Sequence, residues 1–146
     1  MRKIARRLLI ALLPLALLTL SAPAVLADNW PQDGTDPYRT GCANSAWTVY
    51  SVWTGSGTLD LDFSNACATA WGEFTCWTPG GCSNFTQWAY RYPDGKRMTN
   101  YVSWPWWIVP YGATVHTLQM FDGYGYWVDT CVQGYWGGRM TCTGGY

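Results

Sequence analysis

Residues 59–67 read LDLDFSNAC, and this stretch decides the fold class. Two leucines and a phenylalanine alternate there with two aspartates and a serine, the pattern of a strand with one buried and one solvated face. A second alternating run, AWTVYSVWT at 46–54, precedes it, and GSG at 55–57 turns the chain between them. The sequence therefore predicts a β-hairpin whose solvated face carries Asp60 and Asp62, with no calcium site there.

Turn signals divide the rest of the chain into further short strands. No run beyond the first twenty residues shows the 3.6-residue period of a helix, and WPWWIVPY at 104–111, bracketed by prolines, is expected to be an edge or a loop. The remaining predicted strands are 67–77, 85–92, 96–103, 113–121 and 124–132. We predict an all-β fold, a small disulfide-stapled barrel or sandwich of about seven to nine short antiparallel strands.

The start of the chain has the three parts of a secretory signal peptide. Four basic residues lie within the first seven, an apolar run follows from 8 to 20, and VLA at 25–27 supplies small residues for cleavage. The apolar run is short for a membrane span. We therefore expect a signal peptide at 1–27, a single all-β domain at 28–146, and a protein secreted to the extracellular space.

The mature domain is acidic. Removal of residues 1–27 leaves five Lys and Arg against nine Asp and Glu, a net charge of −4. Nucleic acids and anionic membranes attract basic surfaces, so neither is an expected partner.

All six cysteines lie in the predicted mature domain, which in an exported chain indicates three disulfides. Six cysteines allow 15 pairings, and we expect nearest neighbours to pair. The expected pairs are Cys42–Cys67, Cys76–Cys82 and Cys131–Cys142. There is no Cys-x-x-Cys motif and only one histidine, so the sequence predicts no metal and no cofactor.

Catalytic patterns are weak. His116 is the only histidine, and no serine occupies a Gly-x-Ser-x-Gly turn, so a nucleophile–histidine pair is not indicated. Glu73 is the only glutamate. It could face an aspartate across a cleft, but nothing in the spacing shows that it does. We expect a protein that is not an enzyme, with a Glu73-based enzyme as a rival hypothesis.

Aromatic residues are in excess. Eleven Trp and ten Tyr exceed what a domain of this size can bury, although alternating positions such as Trp47, Trp53 and Trp88 suit a core. Exposed aromatic side chains next to glycines are typical of binding surfaces, for a protein segment or for sugar rings. The predicted partner-binding residues are Trp104, Trp106, Trp107, Tyr111, Tyr124, Tyr126 and Trp127, and YW at 135–136 is also hard to bury.

Two blocks of sequence resemble the YjfA-like family, small secreted proteins of Gram-positive bacteria with no known function. The first is DGTDPYRTGCA at 33–43 followed by TV at 48–49, and the second is LDLDFSNAC at 59–67 with AW at 70–71. Some proteins of this type, in filamentous actinobacteria, look like the small adaptor subunit of secreted umbrella-shaped toxin particles used in interbacterial competition. In those particles a disulfide-stapled β protein links a lectin-bearing subunit to repeats on a large toxin polypeptide.

The resemblance implies a non-catalytic adaptor that grips a protruding segment of a partner protein in an aromatic-lined cleft. Its walls would be the 104–111 segment together with residues 124–127. Three alternatives remain open at this point. They are a cell-wall or carbohydrate-binding module, a secreted protease inhibitor that presents the Cys76–Cys82 loop, and the enzyme built around Glu73.

Overall fold

The computed structural model describes residues 31–103, 105–134 and 138–146. The predicted signal peptide, Trp104 and the YW pair at 135–136 lie outside these ranges. Within them the protein is all-β, with nine strands in two antiparallel sheets that are not closed into a barrel. The predicted fold class is confirmed, and of the two predicted architectures the structure has the sandwich. No helix in the described ranges is both long and apolar enough to cross a membrane.

The elements follow the predicted turns closely. In chain order they are α1 (Pro37–Thr40), a 3₁₀ turn (Cys42–Ser45), β1 (Ala46–Trp53), β2 (Gly57–Ser64), β3 (Thr69–Cys76), β4 (Phe85–Tyr92), β5 (Arg97–Val102), β6 (Thr114–His116), β7 (Met120–Phe121), β8 (Trp127–Gly134) and β9 (Met140–Cys142). Sheet 1 has the order β1-β2-β3-β6, with β7 also paired to β3, and sheet 2 has the order β5-β4-β8-β9. The segment after residue 104 is a loop, as predicted.

Strand β9 is not among the predicted strands, and two further local features differ from the sequence expectations. The lead-in to the first strand contains α1, because Asp36 accepts hydrogen bonds from two backbone N–H groups of the first turn and Pro37 begins the helix. The expected strand at 113–121 is two strands, β6 and β7. Between these two strands the backbone of Gln119 pairs with the N-terminal segment instead. Its N–H donates to the carbonyl of Thr35, and its carbonyl accepts from the N–H of Gly34.

The core fills the space between the two sheets. One cluster lies towards the Cys76 end of β3 and includes Leu59, Phe74 and Phe85, and a second lies towards the Thr69 end. The members of the second cluster are Leu61, Phe63, Ala70, Ala89, Met120 and Val128. Both clusters combine residues of the two sheets, so burial of these side chains holds the sheets face to face.

Three disulfides fasten the sandwich, and their pairing is the predicted nearest-neighbour one. Cys42–Cys67 ties the 3₁₀ turn to the loop between β2 and β3, and Cys76–Cys82 closes a short loop at the other end of sheet 1. Cys131–Cys142 joins β8 to β9. The bonds connect elements that the small core alone would hold weakly.

Candidate binding surfaces

The loop after β5 presents the first group of predicted binding residues. Val109 anchors it, because it is buried and exchanges two backbone hydrogen bonds of 2.9 Å with Cys82. Trp106 beside it is 89% exposed, and Tyr111 is exposed and packs edge-on against Trp77, with ring centroids 5.6 Å apart. The less exposed Trp107 lines a shallow pocket with Asn100 and His116. We group the aromatic residues at this end of the sandwich as the Trp106 surface (Trp77, Trp106, Trp107, Tyr111).

The turn before β8 presents the second group. Tyr124 is 93% exposed and stacks on Phe121, whose ring also packs edge-on against Tyr126. The Arg91 guanidinium lies 5.1 Å from the centre of the Tyr126 ring, which fixes that ring from beneath. Tyr124 has a positive φ of 52°, a conformation that costs free energy for a residue other than glycine. We call Phe121, Tyr124 and Tyr126 the Tyr124 surface.

Trp127 lies at the same end of the sandwich but on a different face. It is opposite Tyr92 in the β4–β8 ladder, and the two rings stack with centroids 5.7 Å apart on the outer face of sheet 2. Trp127 is therefore not part of the Tyr124 surface, although it is the next residue but one after Gly125.

The structure separates the two groups of residues that were predicted to line one cleft. The Trp106 surface adjoins the Cys76 end of β3, where Gly112 donates a backbone hydrogen bond to Cys76. The Tyr124 surface adjoins the other end, where Phe121 pairs with Thr69. Strand β3 extends about 23 Å between those ends. The expectation of a single cleft with both segments as walls is therefore wrong, because β6 and β7 lead the chain along the whole of β3 between them.

A third aromatic group lies on β1, where Trp47 and Trp53 were predicted to suit a core. Trp47 and Tyr50 are exposed and Trp53 is 60% exposed, whereas Trp88 is buried as predicted. A β-bulge at Val49 shifts the register, so that Tyr50 joins Trp47 on the inner side, opposite Leu61 and Phe63, and Trp53 turns to the outer side, opposite Thr58. Strand β1 is also the edge of sheet 1, so less of the second sheet lies over it. Alternation alone gave no signal of either feature.

An acidic row crosses the outer face of sheet 1. Asp60 on β2 is directly opposite Glu73 on β3, and Asp62 lies on the same face, two residues further along β2. The hydroxyl of Thr48 donates a 2.7 Å hydrogen bond to Asp62, and the hydroxyl of Tyr38 donates one to Glu73. Burial, together with the charges of Glu73 and Asp60, raises the pKa of Asp62 to about 6, against the opposing effect of the Thr48 bond.

Helix α1 and strand β6 complete this face. His116 is opposite Glu73, its ring is 4.9 Å from that of Tyr38, and its Nε2 is 3.6 Å from a carboxylate oxygen of Asp36. Burial raises the pKa of Asp36, but hydrogen bonds from the backbone N–H groups of Arg39 and Tyr38 outweigh burial, and the pKa is lowered overall. In the described part of the chain no three His, Cys, Asp or Glu residues are arranged to hold a metal ion.

Two further features bear on the alternative functions. The Cys76–Cys82 loop is a tight turn in which Gly81 donates a hydrogen bond to the carbonyl of Thr78, and the indole of Trp77 donates to Thr58. A cleft of about 320 Å³ opens beside it, lined largely by hydroxyl and amide side chains together with Arg139. Its size would admit a small polar ligand.

Comparison with known proteins adds one family likeness. A family model described as "Protein of unknown function (DUF2690)" matches residues 31–101, just under half of the chain. That range extends from the lead-in to α1 as far as β5. It includes Trp77 but ends before Trp106, Trp107, Tyr111 and the whole Tyr124 surface. No curated protein and no solved structure matches the chain.

Proposed function

We propose that this chain is a secreted, non-catalytic adaptor that binds protein partners through the Trp106 surface and the Tyr124 surface. The observation that supports the proposal is the presence of two exposed aromatic surfaces at opposite ends of one rigid sandwich. An adaptor must bind two polypeptides at once without steric overlap between them, and two separate surfaces make this possible. Exposed Trp and Tyr side chains give large contact areas with little side-chain entropy to lose.

The disulfides favour the same function. The Cys76–Cys82 bond lies under the loop that carries the Trp106 surface, and Phe121 in β7 supports the Tyr124 surface. Both surfaces are thus held in place before any partner arrives, which reduces the cost of ordering them on binding. The resemblance to the YjfA-like family makes lectin-bearing and repeat-bearing polypeptides of actinobacterial toxin particles the first partners to test.

The test is affinity purification of the tagged chain from the culture medium of its own host, with mass spectrometry of the proteins recovered. We expect two larger polypeptides at fixed stoichiometry. The double variant Trp106→Ala/Trp107→Ala should lose one of them and keep the other, and Tyr124→Ala should do the reverse. Tyr101→Ala is the matched control, because Tyr101 is 65% exposed but lies on the outer face of sheet 2.

A carbohydrate-binding module is the second candidate. The exposed faces of Trp106 and Tyr124 could stack on sugar rings, and the polar cleft lined by Ser83, Asn84 and Arg139 could bind hydroxyl groups. A glycan array probed with the isolated chain distinguishes the two functions. Recovery of a monomer that binds purified cell-wall glycans, and no protein partner, would replace the adaptor proposal with this one.

A further inference from the structure

Strand β1 is an open edge of sheet 1. It is eight residues long and pairs with β2 on one side, and no other described strand or backbone group pairs with it on the other. Proteins usually protect such edges with lysine, proline, a β-bulge or a covering segment, since free N–H and C=O groups recruit other strands. The sequence of β1, AWTVYSVW, contains no charge and no proline, and its bulge at Val49 leaves a regular ladder with β2 on either side.

The side chains of β1 offer two different faces to an added strand. On the inner side Trp47 and Tyr50 lie opposite Phe63 and Leu61, and the C-terminal residues reach the same area, where Tyr146 contacts Phe63. These side chains form an apolar floor along the edge. An incoming strand would place alternate side chains against it.

The outer side is small, polar and bordered by acid at Thr48 and Ser51, and Trp53 follows at its C-terminal end. The side chains of Thr48 and Ser51 face outwards, opposite Asp62 and Asp60 on β2, and both are exposed. No strand of sheet 1 contains Lys or Arg, whereas it carries Asp60, Asp62 and Glu73. A strand added at β1 would lie about 10 Å from β2, two strand spacings away. Long side chains can cross Thr48 and Ser51 to reach the carboxylates.

From the free edge and the acidic row together, we propose that β1 binds an extended segment of a partner protein by strand addition, and that this segment is basic on the face that it turns outwards. The inference rests on the proposed function in that it names how one protein partner is held. The added segment supplies the missing backbone hydrogen bonds, apolar side chains on the inner side, and Lys or Arg towards Asp60 and Asp62. A second copy of this chain is a poor occupant, because its own β1 carries no Lys or Arg to place beside Asp60 and Asp62.

The test uses two eight-residue peptides with the disulfide-bonded mature chain labelled with ¹⁵N. One peptide alternates lysine with valine, and the other alternates glutamate with valine. We expect the lysine peptide to shift the backbone amide signals of residues 46–53, and the glutamate peptide to bind at least tenfold more weakly. Raising the salt concentration to about 0.5 M should weaken the lysine peptide, since partly exposed charge pairs are screened.

A matched pair of variants tests the position. Ser51→Lys places a positive charge at the exposed outer side of β1 and should weaken the lysine peptide at least tenfold, whereas Ser51→Glu should keep or improve its binding. Equal binding of the two peptides, amide shifts confined to residues outside 46–53, absence of binding, or a dimer of the free chain through β1 would each overturn the inference. None of these results affects the purification experiment with Trp106 and Tyr124 variants, so the two proposals fail separately.

Discussion

Asp122 carries a carboxyl group that the fold buries with little compensation. It follows β7 and is 5% exposed, and its backbone N–H donates to the carbonyl of Ala68. One of its carboxylate oxygens has no hydrogen-bond partner among the described residues. Burial raises the pKa of Asp122 from 3.8 to about 7. The ionised form is therefore disfavoured in the folded protein, and Asp122→Asn should remove that penalty.

The magnitude follows from the pKa change. One pKa unit corresponds to about 1.4 kcal/mol, so a rise from 3.8 to about 7 corresponds to about 4 kcal/mol. Because the folded pKa lies above the unfolded one, the contribution of Asp122 to stability is greatest below pH 4 and is lost as the pH rises to 7. Water penetration and local relaxation reduce this upper limit. We therefore expect Asp122→Asn to raise the free energy of unfolding, relative to the wild type, by roughly 2 to 4 kcal/mol more at pH 8.5 than at pH 4.

Urea denaturation of the disulfide-bonded wild type and variant at the two pH values measures this difference. The burial of an amide in place of an acid is common to both conditions and cancels. Asp94→Asn is the control with the opposite sign, because the hydrogen bond from Arg91 lowers the pKa of Asp94 overall, so that variant should lose more stability at pH 8.5. If Asp122→Asn changes the free energy of unfolding equally at both pH values, the buried carboxyl account is refuted.

Three further predictions concern the network beneath the surfaces, the strained turn and the acidic row. Arg91 is buried and its guanidinium pairs with the carboxylates of both Asp33 and Asp94. Arg91→Met should cost about 3 kcal/mol in urea denaturation because it removes the shared guanidinium, although Lys96 still contacts Asp33; a loss below 1 kcal/mol would contradict this. Tyr124→Gly should raise the free energy of unfolding by up to about 1 kcal/mol, because glycine adopts the positive φ without strain. Purification of this variant from the medium should show the loss of one partner, and retention of both partners would argue against the Tyr124 surface. Binding of the lysine peptide, measured by peptide titration at each pH, should weaken several-fold from pH 7.5 to 5, because the carboxylate of Asp62, with a pKa of about 6, becomes protonated. Asp62→Asn should remove much of that dependence, and an unchanged profile in the variant would exclude Asp62 as the cause.

Local patterns in the sequence were enough for the fold class and the disulfides. The alternation in β2, the turn residues around each hairpin and the even number of cysteines act over a few residues, so a strand or a turn follows from them without knowledge of the rest of the chain. Strand β4 has the predicted bounds, and all three cysteine pairs are the predicted ones. These pairs join neighbouring elements, which is why spacing along the chain could indicate them.

The candidate surfaces needed the tertiary structure. Trp47 and Trp53 have the alternation of core residues, but a bulge at Val49 and an edge position expose them. Trp106 and Tyr124 were both predicted as binding residues, yet only the passage of β6 and β7 along β3 shows that they lie at opposite ends. The sequence by itself determined the strands from β1 to β5 and the turns between them, because side-chain periodicity and turn chemistry are local. Which strand forms the edge, which aromatic residues stay exposed and which carboxylates meet depend on strand order and packing between distant segments, and only the folded structure decides them.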